Sequence, residues 1–255
     1  MSFFKLPFRF AINKLGRPIA EKLKGEPILI GGCGRSGTTL LLSILSAHEE
    51  LFCHPKELGI FNTAEVQENG EVSIPRIHRF HQSFLFNKVP KTAKRWCEKS
   101  PSNIRHIEKI DAYTKGNYKF IEIVRDGRDV ILSKHPTDPS RYWVEPERWI
   151  RDLNFGLEQV DNPKVHTIRY EDLITAYEKT MGGICTFLNI EFTDSLKNWH
   201  EHARVTQNRA YFGKVGKINA KSISKWQDPK YADRVKELTN EPEAVELLKH
   251  YGYLD

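Results

Sequence analysis

The stretch GGCGRSGTTLL, residues 31–41, decides how this sequence folds. It follows the short apolar run PILI and opens a segment in which Leu40, Leu41 and Ile44 have helical spacing. A buried strand, a glycine-rich turn and a helix, in that order, are typical of a phosphate-binding loop. The backbone amides of such a loop and the positive end of the helix can together surround an anion.

The loop lacks the lysine that nucleotide hydrolases use. Thr38 stands where the pattern GxxxxGKS or GxxxxGKT has its lysine, and Arg35 lies inside the loop instead. That lysine balances the β- and γ-phosphates of a nucleoside triphosphate, so its loss argues against ATP chemistry. Anion binding remains available through Arg35, the amide of Gly37 and the hydroxyls of Ser36, Thr38 and Thr39.

The rest of the chain alternates strands with helices. RWCEKSP, YKFIEIVR (118–125) and KVHTIRY (164–170) read as strands, and PERWIRDLNFGLEQV reads as a helix. EDLITAYEKTMGGICTFLNI predicts a helix interrupted at its glycines. The alternation predicts an α/β fold, a central parallel sheet flanked by helices, with ligands beyond the carboxyl ends of the strands.

A second segment, IEIVRDGRDVILSKH, contains two candidate phosphate-binding residues. Arg125 ends a strand, and Ser133 is expected one or two turns into the following helix. The two side chains can close on one phosphate from two sides. A structural salt bridge of the Arg-Asp pair is the alternative interpretation.

Composition narrows the classes of partner. The chain has 255 residues, a length that suits a single domain, and we expect a basic N-terminal arm at residues 1–25. The chain's net charge of +6 suits an anionic ligand. The arm is expected to pack on the domain, and contact with a membrane surface is the alternative. The sequence shows no nucleic-acid reader motif, membrane span or signal peptide, so we expect a cytoplasmic protein that does not bind nucleic acid. The four cysteines form no CxxC pair, and no metal site is expected.

Several motifs resemble those of one enzyme family, in the same chain order: GRSGTTLL, EKSP (98–101), VRDGRDVILS, RYEDL (169–173) and SISKW (222–226). They are similar to the sulfotransferases that use 3′-phosphoadenosine-5′-phosphosulfate (PAPS). The form of the loop resembles the protein-tyrosine and bacterial/carbohydrate branches more than the cytosolic small-molecule branch. The resemblance implies the P-loop NTPase-like sulfotransferase fold. It also implies in-line transfer of a sulfuryl group to a hydroxyl or amine, with adenosine 3′,5′-bisphosphate (PAP) released and no metal required.

Two other functions compete with this interpretation. A P-loop nucleotide kinase or ATPase would need the missing lysine and a carboxylate for Mg²⁺, for which Asp126 is the nearest candidate. A non-catalytic binder of anionic ligands on the same fold would keep the basic surface but would not need an acid-base group.

The resemblance also assigns the nucleotide contacts. Residues 35–39 would hold the 5′ group, and Arg125 and Ser133 the 3′-phosphate. Lys225 in SISKW would meet the 3′-phosphate region, with Lys217 as a helper. Tyr170 either reaches the nucleotide or anchors the end of its strand.

For catalysis, the resemblance gives Arg35 and Lys99 the role of stabilising charge around the transferring group. The general base is expected in LFCHPKELGIF. Glu57 is the first choice, although an ungapped count from the loop lands on Lys56, so that a one-residue insertion is required. His54, whose ordinary pKa suits a base, is the alternative.

Three matters stay open at this stage: the state of two cysteines, the acceptor and the oligomeric state. In lumenal relatives of the tyrosine branch, cysteines placed like Cys53 and Cys97 pair, so we expect their Cα atoms to be close, with a disulfide only in an oxidising compartment. The acceptor is a small molecule, a carbohydrate or a peptide, walled by residues 58–95 and 135–149. The aromatic and basic composition of those walls suits a sugar, a phenol or an acidic peptide. The sequence does not indicate the oligomeric state.

Overall fold

A computed structural model of the protein describes residues 5–206 and 222–255. Its strands are β1 (Ile28–Gly31), β2 (Leu51–Cys53), β3 (Glu65–Val66), β4 (Val72–Ser73), β5 (Arg95–Lys99), β6 (Lys119–Val124) and β7 (Val165–Arg169). Its α-helices are α1 (Lys5–Ala20), α2 (Thr38–Leu45), α3 (Ile77–Phe86), α4 (Ile107–Thr114), α5 (Gly127–Val130), α6 (Pro146–Leu157), α7 (Tyr170–Thr175), α8 (Tyr177–Leu188), α9 (Asp194–Lys197), α10 (Trp199–His202), α11 (Ala232–Thr239) and α12 (Pro242–His250). Short 3₁₀ helices cover Phe61–Thr63, Pro101–His106, Lys225–Gln227 and Pro229–Tyr231.

The central sheet has the strand order β2-β5-β1-β6-β7. Each of its neighbouring pairs is parallel, with Ile30 opposite both Lys99 of β5 and Ile121 of β6. β3 and β4 form a separate antiparallel pair. The predicted α/β fold with a central parallel sheet flanked by helices is confirmed.

Residues of β1 alternate between two cores because successive side chains of a strand point to opposite faces. Ile28 and Ile30 join a cluster that contains Leu41 of α2 and Ile184 of α8. Leu29 joins the cluster on the other face, among the aromatic and aliphatic side chains of residues 52–120. Helices therefore cover both faces of the sheet, and β1 with its following loop lies at the centre.

The basic N-terminal arm contains a helix that packs on the domain. Residues 5–20 form α1, which lies against α3. A Cβ at Gly16 would meet the carbonyl oxygen of His81 at 2.5 Å, so this glycine allows close approach of the two helices. Asn13 Oδ1 and His81 Nδ1 are 2.8 Å apart and form a hydrogen bond.

Two predicted details are wrong. The helical segment after β7 breaks at Ala176 (φ −131°, ψ 47°), between α7 and α8, and not at Gly182 and Gly183, which lie inside α8. Ser133 does not lie on a helix either, because α5 ends at Val130.

Candidate active site

Loops at the carboxyl edge of the sheet surround a cavity of about 840 Å³. Strands β1, β2, β5, β6 and β7 end at this edge, and each leads into a segment that carries a predicted site residue. The cavity is lined by most of the predicted set: Arg35, Gly37, Thr38, Thr39, Glu57, Arg125, Ser133, Tyr170 and Lys225. The predicted residues thus come together although they are distant in sequence.

The phosphate loop is held in a backbone shape that glycine permits. Gly32 has φ +131° and Gly37 has φ +100°, in the region that side chains disfavour. A Cβ at Gly37 would meet the ring of Tyr170 at 2.4 Å. Arg35 itself has φ 74°, a left-handed value that is uncommon for a residue with a side chain. Such strain at a ligand loop is typical of a functional site.

Arg125 connects the phosphate loop to the C-terminal part of the chain. Its Nη1 donates to the carbonyl of Arg35 at 3.0 Å, and its Nη2 donates to the carbonyl of Ser222 at 2.5 Å. The guanidinium lies 4.5 Å from the centre of the Tyr170 ring, and the hydroxyl of Tyr170 is 2.7 Å from Ser222 Oγ. Tyr170 therefore both anchors the end of β7 and borders the cavity.

Asp129 positions the segment that contains Lys225. Its carboxylate accepts hydrogen bonds from the backbone N–H of Ser224 at 2.7 Å and of Trp226 at 3.1 Å. Burial raises the pKa of Asp129, while the neighbouring Arg125 lowers it. Lys217, the other predicted lysine, lies outside the described residues. Asp129 was not predicted, because an aspartate in RDGRD gives no sign of which distant amides it accepts.

A short polar chain joins the phosphate loop to an accessible carboxylate in the cavity. Lys99 is fully buried at the end of β5; its Nζ donates to Thr39 Oγ1 at 3.0 Å and forms an ion pair with Glu57 Oε1. Glu57 is partly exposed, with 42% of its side chain accessible. The ammonium group thus lies between the loop hydroxyl and an accessible carboxylate.

Glu98 fixes the backbone next to Glu57 and was missed by the sequence interpretation. Its Oε1 accepts from the N–H of Leu58 at 3.1 Å and from Ser100 Oγ at 2.7 Å, and Asn103 Nδ2 donates to its Oε2 at 2.7 Å. Glu98 is fully buried, and burial raises its pKa against the effect of these donors. The EKSP motif therefore supplies both the lysine of the polar chain and the carboxylate that holds the segment carrying Glu57.

His54 does not lie in the cavity. It is fully buried among the rings of Phe52, Phe80, Phe84 and Trp96, and its Nδ1 is 2.8 Å from Ser83 Oγ. Burial lowers the pKa of His54 to about 3, so the ring is neutral at physiological pH. The structure brings Glu57 to the cavity and keeps His54 in the core, which favours Glu57 as the base.

Cys53 and Cys97 lie side by side, as expected. They are partners in the register of β2 and β5, and both are buried as free thiols. Burial raises the pKa of Cys97 well above its ordinary value, so this thiol is protonated.

Three arginines of the cavity wall share a single buried carboxylate. Asp152 Oδ1 accepts from Arg105 Nε at 2.6 Å, and Asp152 is also 3.8 Å from Arg148 and 3.6 Å from Arg151. All three arginines line the cavity. A Cβ at Gly34 would lie 2.9 Å from Arg148 Nη2, so this arginine lies over the phosphate loop. The sequence predicts a helix here but does not show that one of its ends faces the site.

The described residues contain no group of three or more histidine, cysteine, aspartate or glutamate side chains able to hold a metal ion. Over the same part of the chain, no helix is long and apolar enough to cross a membrane. Cellular location stays a prediction.

The fold and site define a class: an α/β enzyme whose phosphate loop, lacking the lysine, faces a carboxylate–lysine pair across a basic cavity. The sulfotransferase family matches residues 27–78 and 59–194 of this chain. A "putative protein-tyrosine sulfotransferase" of Caenorhabditis briggsae is 27% identical over 252 residues, covering 89% of this chain and 88% of that protein.

Solved structures show the same fold. The sulfotransferase domain of the Synechococcus PCC 7002 olefin synthase superposes with a TM-score of 0.63 at 18% identity, covering 91% of this chain and 97% of that one. A mouse sulfotransferase complexed with PAP superposes with a TM-score of 0.53 at 15% identity, covering 93% and 94%. The chain belongs to the sulfotransferase family, and its predicted activity as a sulfotransferase is confirmed.

Proposed function

We propose that the protein transfers the sulfuryl group of PAPS to a hydroxyl or amine of an acceptor that carries negative charge. The observation that carries this proposal is the polar chain from Thr39 through Lys99 to Glu57. It connects an anion-binding loop with an accessible carboxylate across one cavity.

The residues around the phosphate loop fit a bisphosphorylated nucleotide. Ser36 Oγ and Arg125 Nε are buried and have no hydrogen-bond partner among the described residues. Leaving a buried polar atom without a hydrogen bond costs free energy. These two atoms are therefore suited to form hydrogen bonds with a bound ligand. In this proposal the loop amides, Ser36, Thr38 and Thr39 hold the 5′ group, and Arg125 with Ser133 and Lys225 holds the 3′-phosphate.

The donor, when bound, supplies a sulfuryl group on a phosphate leaving group. Glu57 takes the proton from the attacking hydroxyl or amine of the acceptor, since it is the accessible carboxylate at the acceptor end of the polar chain. Lys99 and Arg35 balance negative charge around the transferring group. These positive groups are preorganised, because Lys99 is fully buried and tied to Thr39.

The acceptor class follows from the charges on the cavity wall. Asp152 offsets one of the three guanidiniums of Arg105, Arg148 and Arg151, and Lys99 offsets Glu57. The acceptor end therefore keeps an excess of positive charge, which favours an acceptor with a carboxylate, phosphate or sulfate near its reactive group. Among sugars, phenols and peptides, the proposed acceptors are therefore those that carry such an anionic group.

ATP chemistry is not favoured. Thr38, at the position of the missing lysine, is buried at the start of α2. Asp126, the candidate carboxylate for Mg²⁺, is paired with Arg128, whose Nε and Nη2 donate to it at 2.9 and 2.7 Å. The metal-independent reaction remains part of the proposal.

Calorimetric titration of the full chain with PAP, without metal, tests the nucleotide site, with ATP and Mg²⁺ as the comparison. We expect PAP to bind and ATP to bind weakly. A folded protein that binds ATP–Mg²⁺ but not PAP would contradict the proposal.

The acceptor class is tested with paired acceptors in a PAPS-dependent transfer assay. Each pair consists of a tyrosine peptide flanked by glutamates and the same peptide flanked by glutamines, or of an acidic sugar and its neutral counterpart. We expect the acidic member to have the higher kcat/KM, and the preference to shrink in Arg148→Gln/Arg151→Gln but not in the control Lys249→Gln, at an exposed residue of α12. Equal use of acidic and neutral acceptors would refute the acceptor class and leave the transfer reaction standing.

A further inference from the structure

We propose that the exposed side of α1 docks the protein on a membrane surface that contains anionic lipid. The inference rests on an apolar arc of α1 that extends beyond its contact with α3, and on the exposed cations of the same helix. It does not depend on the identity of the acceptor.

One part of the arc is used for packing inside the protein. Ile12 and Gly16 are buried and Ile19 is half-buried, with the spacing of one helix face. Gly16 lies against the backbone of His81 in α3, and Asn13 bonds to the side chain of His81. α1 is therefore fixed to the protein in one orientation, and its remaining faces are defined.

A second apolar stripe next to the first is left in water. Phe8, Ala11, Leu15 and Pro18 follow helical spacing, and all four are exposed. Phe8 is 61% exposed and Leu15 is 62% exposed. Phe10, on another side of the helix, is 71% exposed. Large apolar side chains that cluster on one surface element, rather than occurring singly, indicate an interaction site.

The charge of this surface has one sign. Arg9, Lys14 and Arg17 of α1 are exposed, and Lys22 and Lys24 follow directly. Residues 1–25 contain a single acidic residue, Glu21, which pairs with Arg17 at 2.7 Å. Phe10, Lys14 and Arg17 share one side of the helix by their spacing, so an aromatic ring lies among cations there.

An anionic bilayer matches both properties at once. Its headgroups attract lysine and arginine, and its acyl boundary accepts the phenylalanine and leucine side chains of a helix lying in the plane of the interface. A soluble polyanion would use only the cations and leave the apolar side chains in water. A second copy of the same surface would place like charges against each other.

Co-sedimentation of the full chain with lipid vesicles tests this proposal. The vesicles consist of phosphatidylcholine alone or of phosphatidylcholine mixed with phosphatidylglycerol. We expect binding to the anionic vesicles that weakens with added salt. Phe8→Ser/Leu15→Ser should lower the partition coefficient about tenfold or more, since two large apolar side chains lose their burial in lipid. Lys14→Glu should lower it as well.

Control variants with the same kinds of substitution on other elements test whether binding depends on α1 itself. Val66→Ser/Val160→Ser removes apolar side chains that are 49% and 61% exposed on other elements, and Lys249→Glu reverses an exposed charge on α12. Neither control should change binding. Circular dichroism and melting temperature should show that all four variants remain folded, because the altered side chains are exposed.

Three outcomes would overturn the proposal. The first is no binding of the wild-type protein to anionic vesicles. The second is equal binding by the Phe8→Ser/Leu15→Ser variant. The third is binding to a soluble polyanion, or self-association in light scattering, that depends on Phe8 and Leu15 while vesicles are left unbound.

Discussion

Glu57 and Lys99 form one ion pair but differ in burial, and the different roles that we propose for them follow from this difference. Lys99 has no accessible side-chain surface, whereas Glu57 keeps 42% of its own. A lysine enclosed in this way keeps its position and contributes a fixed charge, while the accessible carboxylate can meet an acceptor.

Glu57→Gln tests the role of the base. The substitution keeps the size of the side chain and removes its capacity to take a proton, so kcat should fall by about 100-fold or more. Binding of PAP should stay the same, because Glu57 lies at the acceptor end. Steady-state kinetics and calorimetry measure the two effects, and Glu65→Gln, an exposed glutamate on β3, is the control. A variant that loses PAP binding and activity together would indicate a structural role instead.

Burial of Glu122 makes the free energy of unfolding depend on pH. It is fully buried on β6, where Thr167 Oγ1 donates to its Oε2 at 2.7 Å, while its Oε1 has no partner among the described residues. Burial raises the pKa of Glu122 to about 7. The folded protein therefore holds this proton more tightly than the unfolded chain, and stability is lost as the pH rises through about 7.

Glu122→Gln should remove this pH dependence. Relative to the wild type, the variant should gain about 2–3 kcal/mol in free energy of unfolding between about pH 5 and about pH 8, since the amide does not ionise. Urea unfolding at the two pH values measures the gain, with the exposed Glu71→Gln as control. A constant difference between variant and wild type would show that Glu122 does not titrate in this range.

The helix α6 depends on a glycine for its contact with the sheet. A Cβ at Gly156 would lie 2.0 Å from Glu122 Oε1, too close for any real contact. Gly183 lies in α8, and a Cβ there would meet nothing within 4 Å. The two glycines have the same intrinsic cost in a helix, so they differ only in packing.

Alanine at these two positions should have opposite effects. Gly156→Ala should destabilise the protein by about 1–3 kcal/mol through overpacking against Glu122. Gly183→Ala should stabilise it by about 0.5–1 kcal/mol, since alanine is the better helix former. The midpoints of urea unfolding measure both. A tolerated Gly156→Ala would mean that α6 can move away from β6.

Strands and helices with a clear spacing of apolar residues could be predicted from the sequence, but the residues at which they end could not. The strand, loop and helix around residues 28–45 were predictable, because an apolar run, a glycine-rich turn and helically spaced leucines follow one another there. The break at Ala176 was not predictable because it comes from a backbone conformation that alanine does not signal. Gly182 and Gly183 stay inside α8, because their cost of about 1 kcal/mol each is too small to end a packed helix. Ser133 was predicted to lie on a helix, but it lines the cavity from beyond the end of α5.

Side-chain direction is the part of the site that the sequence could not supply. His54 and Glu57 lie in one short segment after β2, yet the first enters an aromatic core and the second reaches the cavity. Which one faces the ligand depends on how the segment leaves the sheet, and Glu98 holds that segment from another strand. Arg151, two residues beyond the predicted wall 135–149, was missed for the same reason, because the orientation of α6 is set by tertiary packing.

At the scale of the whole molecule, nucleotide binding should couple distant parts of the chain. Arg125 joins the phosphate loop to Ser222, so a ligand held there ties the N-terminal and C-terminal parts together. PAP at about 100 times its Kd should add about 2.7 kcal/mol to the free energy of unfolding. For a chain of this size the melting temperature should rise by about 5–10 °C.

Differential scanning fluorimetry measures this shift. We expect it to persist with a metal chelator present, to be smaller with ATP and Mg²⁺, and to shrink in Arg125→Ala but not in Arg79→Ala. A shift that required a divalent metal would contradict the proposed metal-independent site.

The order of strands in the sheet also determines when this protein can fold as it is synthesised. β1 is made before its partners β5 and β6, which extend to Lys99 and Val124, and among the described residues β2 pairs with β5 alone. A nascent chain shorter than this contains all of β1 and α2, whose residues are all buried in the folded protein, but it does not yet contain the strands that cover them. Chaperones and aggregation compete for the chain during that interval. The anion-binding loop is thus synthesised before the strands that flank β1 and fix the loop's position.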